Sequence, residues 1–274
     1  MRTFVTATAG LALALAAAGS AQTSADQGKP ALRAAGTVDD AAGNFLQDKK
    51  LRQSEQKEKL RAAGLNFGEV RSLVARFKPK GKGGLAGLSA QKQGDLADTF
   101  LDEVALELAT LGFRPGDLKD QAQAAALFSA ASDKLVLAAD YADYKLLSKA
   151  VVRGKVTGYR LPPKGSAGGA VMQVEVLQAY KGEIASGTAI EVVMRSGQDA
   201  AGGQLKYSDE AIPAPGAEVV LVLSQVAPSL RGGSRLRLAA DPSAYTKLLE
   251  PFAVEGGVAR ASSPGIGDLK LSDL

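Results

Sequence analysis

The sequence predicts an α+β protein: a helical N-terminal region followed by an antiparallel β-barrel or sandwich. Two observations carry this reading. Up to about residue 149 the apolar residues recur at helical spacing, and from Ala150 onward they alternate as in strands. The strand-like segments are joined by Gly- and Pro-rich turns with no helical pattern between them, which argues against βαβ units. A third observation sets the first residues apart, because they read as neither half. The expected order is a leader at 1–21, a disordered tether at 22–36, helices at 37–149, the barrel at 150–260 and a tail at 261–274.

The leader has one positive charge at Arg2, a small-residue and apolar run from Phe4 to Ala18, and Gly19-Ser20-Ala21 as a cleavage site. No acid precedes Asp26. This is the layout of a secretory signal peptide, so the expected location is periplasmic or secreted. The run is too short and too Ala-rich for a good span, and no transmembrane span is expected after cleavage. The chain has no Cys and no His. Folding in an oxidising compartment would therefore rest on an apolar core rather than disulfides. With 31 Gly, no Trp and 5% aromatic residues, that core should be built from Ala, Val and Leu.

In the helical region, Thr37 followed by Val38-Asp39-Asp40 reads as a capped helix start, with the acids facing the positive end of the helix dipole. Val38, Ala41, Ala42, Phe45 and Leu46 form a short apolar stripe. From Gln47 to Arg61 the helix turns polar, with Asp48/Arg52 and Glu55/Lys59 at supportive spacing, and Gly64 ends it. Asn66 and Glu69 resemble a capping box before the stripe Phe67, Val70, Leu73, Val74 and Phe77. A third helix starts near Ser89 and carries Leu96, Phe100, Val104, Leu108 and Leu111, with Gly112 as its stop. Asp117 is expected to cap an Ala-rich helix to about Ser132, and a last helical stretch runs from Asp140 to Lys149.

In the strand half, Val152, Gly154, Val156 and Gly158 share one face, as do Met172, Val174 and Val176, and then Ile190, Val192 and Met194. Val219–Leu223 is continuously apolar, as a strand buried on both faces would be. Arg235-Leu-Arg-Leu238 alternates, and Glu255-Gly-Gly257 between Phe252-Ala-Val254 and Val258-Ala-Arg260 reads as a hairpin.

The succession Val151-Val-Arg-Gly-Lys-Val-Thr-Gly158, Gln173-Val-Glu-Val-Leu-Gln-Ala-Tyr-Lys-Gly182, Ile190-Glu-Val-Val-Met-Arg195 and Pro215-Gly-Ala-Glu-Val-Val-Leu-Val-Leu223 resembles the OB-like barrels of exported bacterial proteins. Their relatives include netrin- and TIMP-like modules. The resemblance spans about 150–260. It implies an antiparallel OB-like barrel with a binding surface on one sheet face and its loops. The inhibitory mechanism of TIMP-like proteins uses an N-terminal Cys and does not carry over to this chain.

Composition also narrows the chemistry. Without His or Cys, zinc and copper sites and His-based nucleophile triads lack their usual groups, and no cofactor is expected. Ser-x-x-Lys occurs at Ser54/Lys57 and Ser89/Lys92, but the Ser-Asp-Asn and Lys-Thr-Gly partners of serine penicillin-binding enzymes are missing. Asp95, Asp98, Asp102, Glu103 and Glu107 crowd one helix; paired carboxylates suit glycan hydrolysis or calcium binding, and the plainer reading is a solvated acidic face. Tyr207-Ser-Asp-Glu210 reads as a solvated polar loop.

The formal charge of +4 falls to +3 when Arg2 leaves with the leader, which is too little to make a polyanion binder; no nucleic-acid partner is expected. Arg76, Lys78, Lys80 and Lys82 form a local basic run, either a contact for an anionic partner or a plain connector. Arg231, Arg235 and Arg237 form a second basic set. Tyr141 and Tyr144 flank the junction of the two halves and either line a groove or pack the helices onto the barrel. The leading expectation is a non-catalytic exported binding module of the bacterial envelope, with an envelope protein or a glycan as partner. The alternatives are a carboxylate-dependent enzyme acting on glycans and an assembly protein oligomerising through its helices.

Overall fold

A computed structural model describes residues 38–77, 88–161, 169–198, 201, 203–225, 244–262 and 265–274, with side chains from Ala42. The leader, the tether, Lys78, Lys80, Lys82 and the Arg231–Leu238 segment lie outside the described residues. The chain divides into two compact units, one running up to Ala109 and including Phe113–Ala139, the other made of Thr110–Gly112 and Asp140–Leu274. Among the described residues, no helix is long and apolar enough to cross a membrane.

The first unit is helical: α1 (Val38–Ala62), α2 (Phe67–Val74) with a 3-10 turn at Ala75–Phe77, α3 (Ala90–Thr110), a 3-10 turn at Pro115–Leu118 and α4 (Gln121–Leu135). The Asn66 side chain accepts from Glu69 N at 3.2 Å and starts α2 as expected. Its stripe turns Val70 and Val74 inward, and Phe77 meets Phe128 of α4 with ring centroids 5.8 Å apart. Ala42 and Leu46 of α1 pack with Leu88 and Leu96. On α3, Leu96, Val104 and Leu108 are buried as the spacing predicts, Phe100 is half-buried, and Leu111 just past its end is buried too. Asp117 does not cap α4. Its carboxylate accepts from Arg114 N at 2.7 Å and closes the 3-10 turn, and Asp120 caps α4 by accepting from Gln123 N. Pro115 fixes this turn, so the chain needs three more residues before a helix can begin.

The second unit opens with α5 (Tyr141–Leu147), which carries the reciprocal Asp140/Asp143 capping box. Lys181 Nζ closes its other end by donating to the carbonyls of Lys145, Leu146 and Ser148 at 2.6, 3.0 and 2.7 Å. Nine strands follow: β1 (Ala150–Arg160), β2 (Gly169–Lys181), β3 (Ala189–Gln198), β4 (Gln204–Leu205), β5 (Glu218–Ser224), β6 (Tyr245–Lys247), β7 (Phe252–Glu255), β8 (Val258–Arg260) and β9 (Leu269–Lys270).

Strands β1, β2, β3, β6 and β5 close into a five-stranded barrel, because β5 pairs back onto β1. The barrel is mixed rather than wholly antiparallel. β6 runs parallel to β3, with Val192 opposite Tyr245 and Val193 opposite Thr246. A parallel neighbour needs a long crossover, and the chain from β4 through β5 supplies it.

The alternation read from the sequence sorts residues as expected. Val152, Val156, Met172, Val174, Val176, Ile190, Val192, Met194, Val219, Leu221 and Leu223 fill the interior. The alternate residues Val151, Val220 and Val222 face outward into a second core with Leu249, Phe252 and Ala259. That is why Val219–Leu223 is apolar without a break: both faces of β5 are covered. The β7–β8 hairpin turns at Gly256-Gly257, and β9 extends it.

Candidate functional site

The described cavity that combines apolar walls with exposed apolar lips lies at one end of the barrel. It measures about 350 Å³ and is lined by Tyr159 near the end of β1 and Leu161 just after it, Ala170 on β2, Met194 and Ser196–Gln198 of β3, and Gln204, Leu205, Lys206 and Ile212 of the following segment. Met194 and Ala170 belong to the barrel core and form the floor. Leu161 and Ile212, both in its lining, are 52% and 47% exposed. At the base, β2 and β3 cross closely at Gly169 and Gly197. Gly197 has φ +151°, and a Cβ there would meet the Gly169 backbone and come within 2.7 Å of Ala170 N. Only glycine permits that approach.

One wall is the segment 203–214, which has little regular structure and is held by side chains instead. β4 pairs with the end of β3. Tyr207 N donates to Ser196 Oγ at 3.0 Å, and Tyr159 Oη donates to Pro213 O at 2.5 Å.

Glu210 is the central anchor. Its side chain is wholly buried. Oε1 accepts from Arg195 N at 3.0 Å and from Lys247 Nζ at 2.7 Å, and Oε2 accepts from Ser196 N. Lys247 Nζ also reaches Glu250 Oε2 at 2.6 Å, and that oxygen accepts from Ala211 N at 2.9 Å. Arg195 completes the cluster by donating to Asp209 at 2.9 Å and lying 5.0 Å over the Tyr207 ring. Burial alone would raise the Glu210 pKa. The hydrogen bonds from Lys247 and from the Ser196 and Arg195 backbone outweigh it and hold the carboxyl below its usual range. Burial first, and then the Glu210 charge, push the Tyr159 phenol up to about 12. Both groups therefore keep their ordinary charge states at neutral pH, and the cluster fixes the cavity wall rather than exchanging protons.

The expectation of a solvated loop at Tyr207–Glu210 is thus corrected for Glu210. The same holds for part of the acidic face of α3. Asp102 pairs with Lys57 at 2.7 Å and with Arg71. Glu103 meets Lys49 at 3.1 Å and Gln53 at 2.8 Å, and Glu107 meets Lys134 at 2.5 Å. Asp98 approaches Arg71 at 3.6 Å and stays half-exposed. These acids bind the other helices of their unit. A small cleft there, about 330 Å³, brings Ser54 and Lys57 beside Asp95, Asp98 and Asp102. The Lys57 ammonium is already shared between Asp102 and the Phe67 ring, 4.8 Å away. Ser89 Oγ accepts from Lys92 N at 3.4 Å at the start of α3, a capping contact.

The other residues singled out in the sequence lie elsewhere. Arg76 donates to Leu118 O at 3.0 Å and stacks 4.9 Å from the Phe77 ring, both within the helical unit. Tyr141 and Tyr144 pack against the second core of the barrel unit, where Tyr141 meets Phe252 edge-on at 6.2 Å. Burial first, then Tyr180, raise the Tyr141 phenol to about 12. None of these lines the barrel-end cavity. Among the described residues, no group of three or more acidic side chains could hold a metal ion.

No protein-family model, no curated protein and no solved structure matches this chain.

Proposed function

We propose that the chain is a non-catalytic, exported binding module of the bacterial envelope, with an OB-like barrel that takes its ligand in the barrel-end cavity. One observation carries the reading: an open cleft with apolar walls, rimmed by exposed Leu161 and Ile212 and braced by the buried Glu210 cluster. Pockets that bind ligands are concave, mostly apolar and largely preformed, with a few placed polar groups. The location supports it too. OB-like barrels bind on the face of their second and third strands and near the connection between their first two. Here the cavity is lined from β2, from β3 and from the end of β1. Export rests on the leader sequence.

The test places a photo-crosslinking residue at Leu161, at Ile212 and, as a control, at exposed Glu255, in the chain carrying its own leader. The expected result is protein in the periplasmic fraction beginning at Gln22, with one adduct species at positions 161 and 212 and none at 255. Retention in the cytoplasm with the leader attached overturns the export part. Identical labelling at all three positions overturns the binding site.

A further inference from the structure

We propose that the barrel-end cavity takes the end of an acyl chain bearing an anionic head group, with Lys206 at the head. This rests on the reading of the cavity as the binding site and names its ligand class. The walls supply the first argument. Leu161, Ala170, Met194, Leu205 and Ile212 are aliphatic, and the Tyr159 hydroxyl is turned away to Pro213. Among the described residues the lining has one aromatic ring, Tyr159, against the stacked rings that bases use. The floor is deformable, since Met194 is unbranched and polarizable and sits at the boundary with the barrel core.

Charge supplies the second argument. Among the described residues no carboxylate lines the cavity, and Lys206 is the single cationic side chain in its lining. Lys206 is exposed and forms no ion pair among the described residues. The nearby acids are committed elsewhere: Glu210 to Lys247 and the backbone, Asp209 to Arg195 and Glu191 to Arg160. The rim therefore complements an anion, while the interior complements methylenes. Gln198 and Gln204 add amide groups to the same lining.

The experiment is calorimetric titration of the mature chain with octanoate, decanoate and dodecanoate below their micelle concentrations, and with decanol. Each added methylene buried should tighten binding about fourfold until the cavity is full, after which the gain stops. Decanoate should bind about two- to fivefold more tightly than decanol, as for one exposed ion pair. Lys206→Gln should abolish that preference and leave the chain-length dependence intact. Leu161→Asp and Ile212→Asp, at exposed positions where folding should persist by circular dichroism, should weaken every member of the series. Binding that ignores chain length, no binding at all, or a preference for carboxylate that survives Lys206→Gln overturns the proposal. Crosslinks at 161 and 212 to a glycan or a protein, with no affinity for these carboxylates, would sink this ligand class and leave the binding-module reading standing.

Discussion

Glu210 offers the sharpest test of how the cavity wall is held. Its carboxylate is fully buried and accepts from two main-chain N–H groups of β3 as well as from Lys247. Removing one member of a buried ion pair typically costs about 3–5 kcal/mol. Each buried N–H left without an acceptor adds about 1–3 kcal/mol, though such costs are not additive within one network. Lys247 keeps Glu250 at 2.6 Å, which limits the penalty for its stranded charge. Glu210→Ala is therefore expected to destabilise the barrel unit by about 3–5 kcal/mol. Glu210→Gln keeps the volume and one acceptor oxygen, and should cost about 2–3 kcal/mol. Lys247→Met alone strands Glu210. The Glu210→Gln/Lys247→Met pair should be less destabilised than the sum of its singles by about 1–2 kcal/mol. The assay is urea unfolding followed by tyrosine emission, since the chain has six Tyr and no Trp. The pH dependence has a fixed sign. The folded pKa lies below the unfolded one, so the Glu210 contribution is fully present above about pH 4.3 and is lost as pH falls through the folded value. The gap between wild type and Glu210→Gln should narrow accordingly in acid. A cost for Glu210→Ala below about 1 kcal/mol, or a gap that is constant down to strong acid, would refute the anchoring role.

Three further outcomes follow from the packing of single residues. Gly154→Ala puts a Cβ into Val174 Cγ1 and within 2.9 Å of Glu175 O inside the closed barrel; overpacking of this kind should cost about 1–3 kcal/mol in the same unfolding assay. Tyr141 and Tyr159 should hold their protons to about pH 12, read by tyrosinate absorbance. Both phenols bind protons more tightly folded than unfolded, so the stability they contribute is complete below about pH 10 and is lost as pH rises to 12. Leu137 closes α4 at φ 58° and is 93% exposed, so Leu137→Gly relieves left-handed strain without losing packing. The strain relief of about 1–2 kcal/mol exceeds the extra unfolded-state entropy, and a net gain of about 0.5–1 kcal/mol in thermal or urea unfolding is expected.

What was legible in the sequence depended on whether a residue's neighbours were close in the chain. Period-2 alternation needs only the strand itself, and it placed the barrel interior residues of β1, β2 and β3 correctly. The unbroken run Val219–Leu223 correctly implied cover on both faces. The parallel β3–β6 seam was hidden because β6 is three residues long and joins a strand from which β4 and β5 separate it in the chain. The cavity was hidden for a similar reason. Its walls come from Tyr159 to Ile212, and each stretch is locally an ordinary strand end or a Pro-containing turn. Leu161 before Pro162-Pro163 and Ile212 before Pro213 were the available signals: large aliphatic residues placed in turn sequence rather than in a stripe.

The charged residues teach the same lesson in a different way. Asp102, Glu103 and Glu107 have the helical spacing of a solvated face, and spacing alone cannot distinguish water from a neighbouring helix. The distinguishing information was on α1. There Lys49, Gln53 and Lys57 recur every four residues, so they form one row along the helix. That row matches the acids of α3, with Lys49 on Glu103, Gln53 on Glu103 and on the Thr99 carbonyl at 2.9 Å, and Lys57 on Asp102. Asp48/Arg52 and Glu55/Lys59 lie on the exposed side of the same helix, as their spacing implied, and carry no information about the row that meets α3. A polar row on one helix is evidence about a second helix whenever a complementary row exists within reach. Glu210 shows the limit of that rule, since most of its partners are backbone N–H groups, which every residue but proline carries and which no sequence pattern advertises.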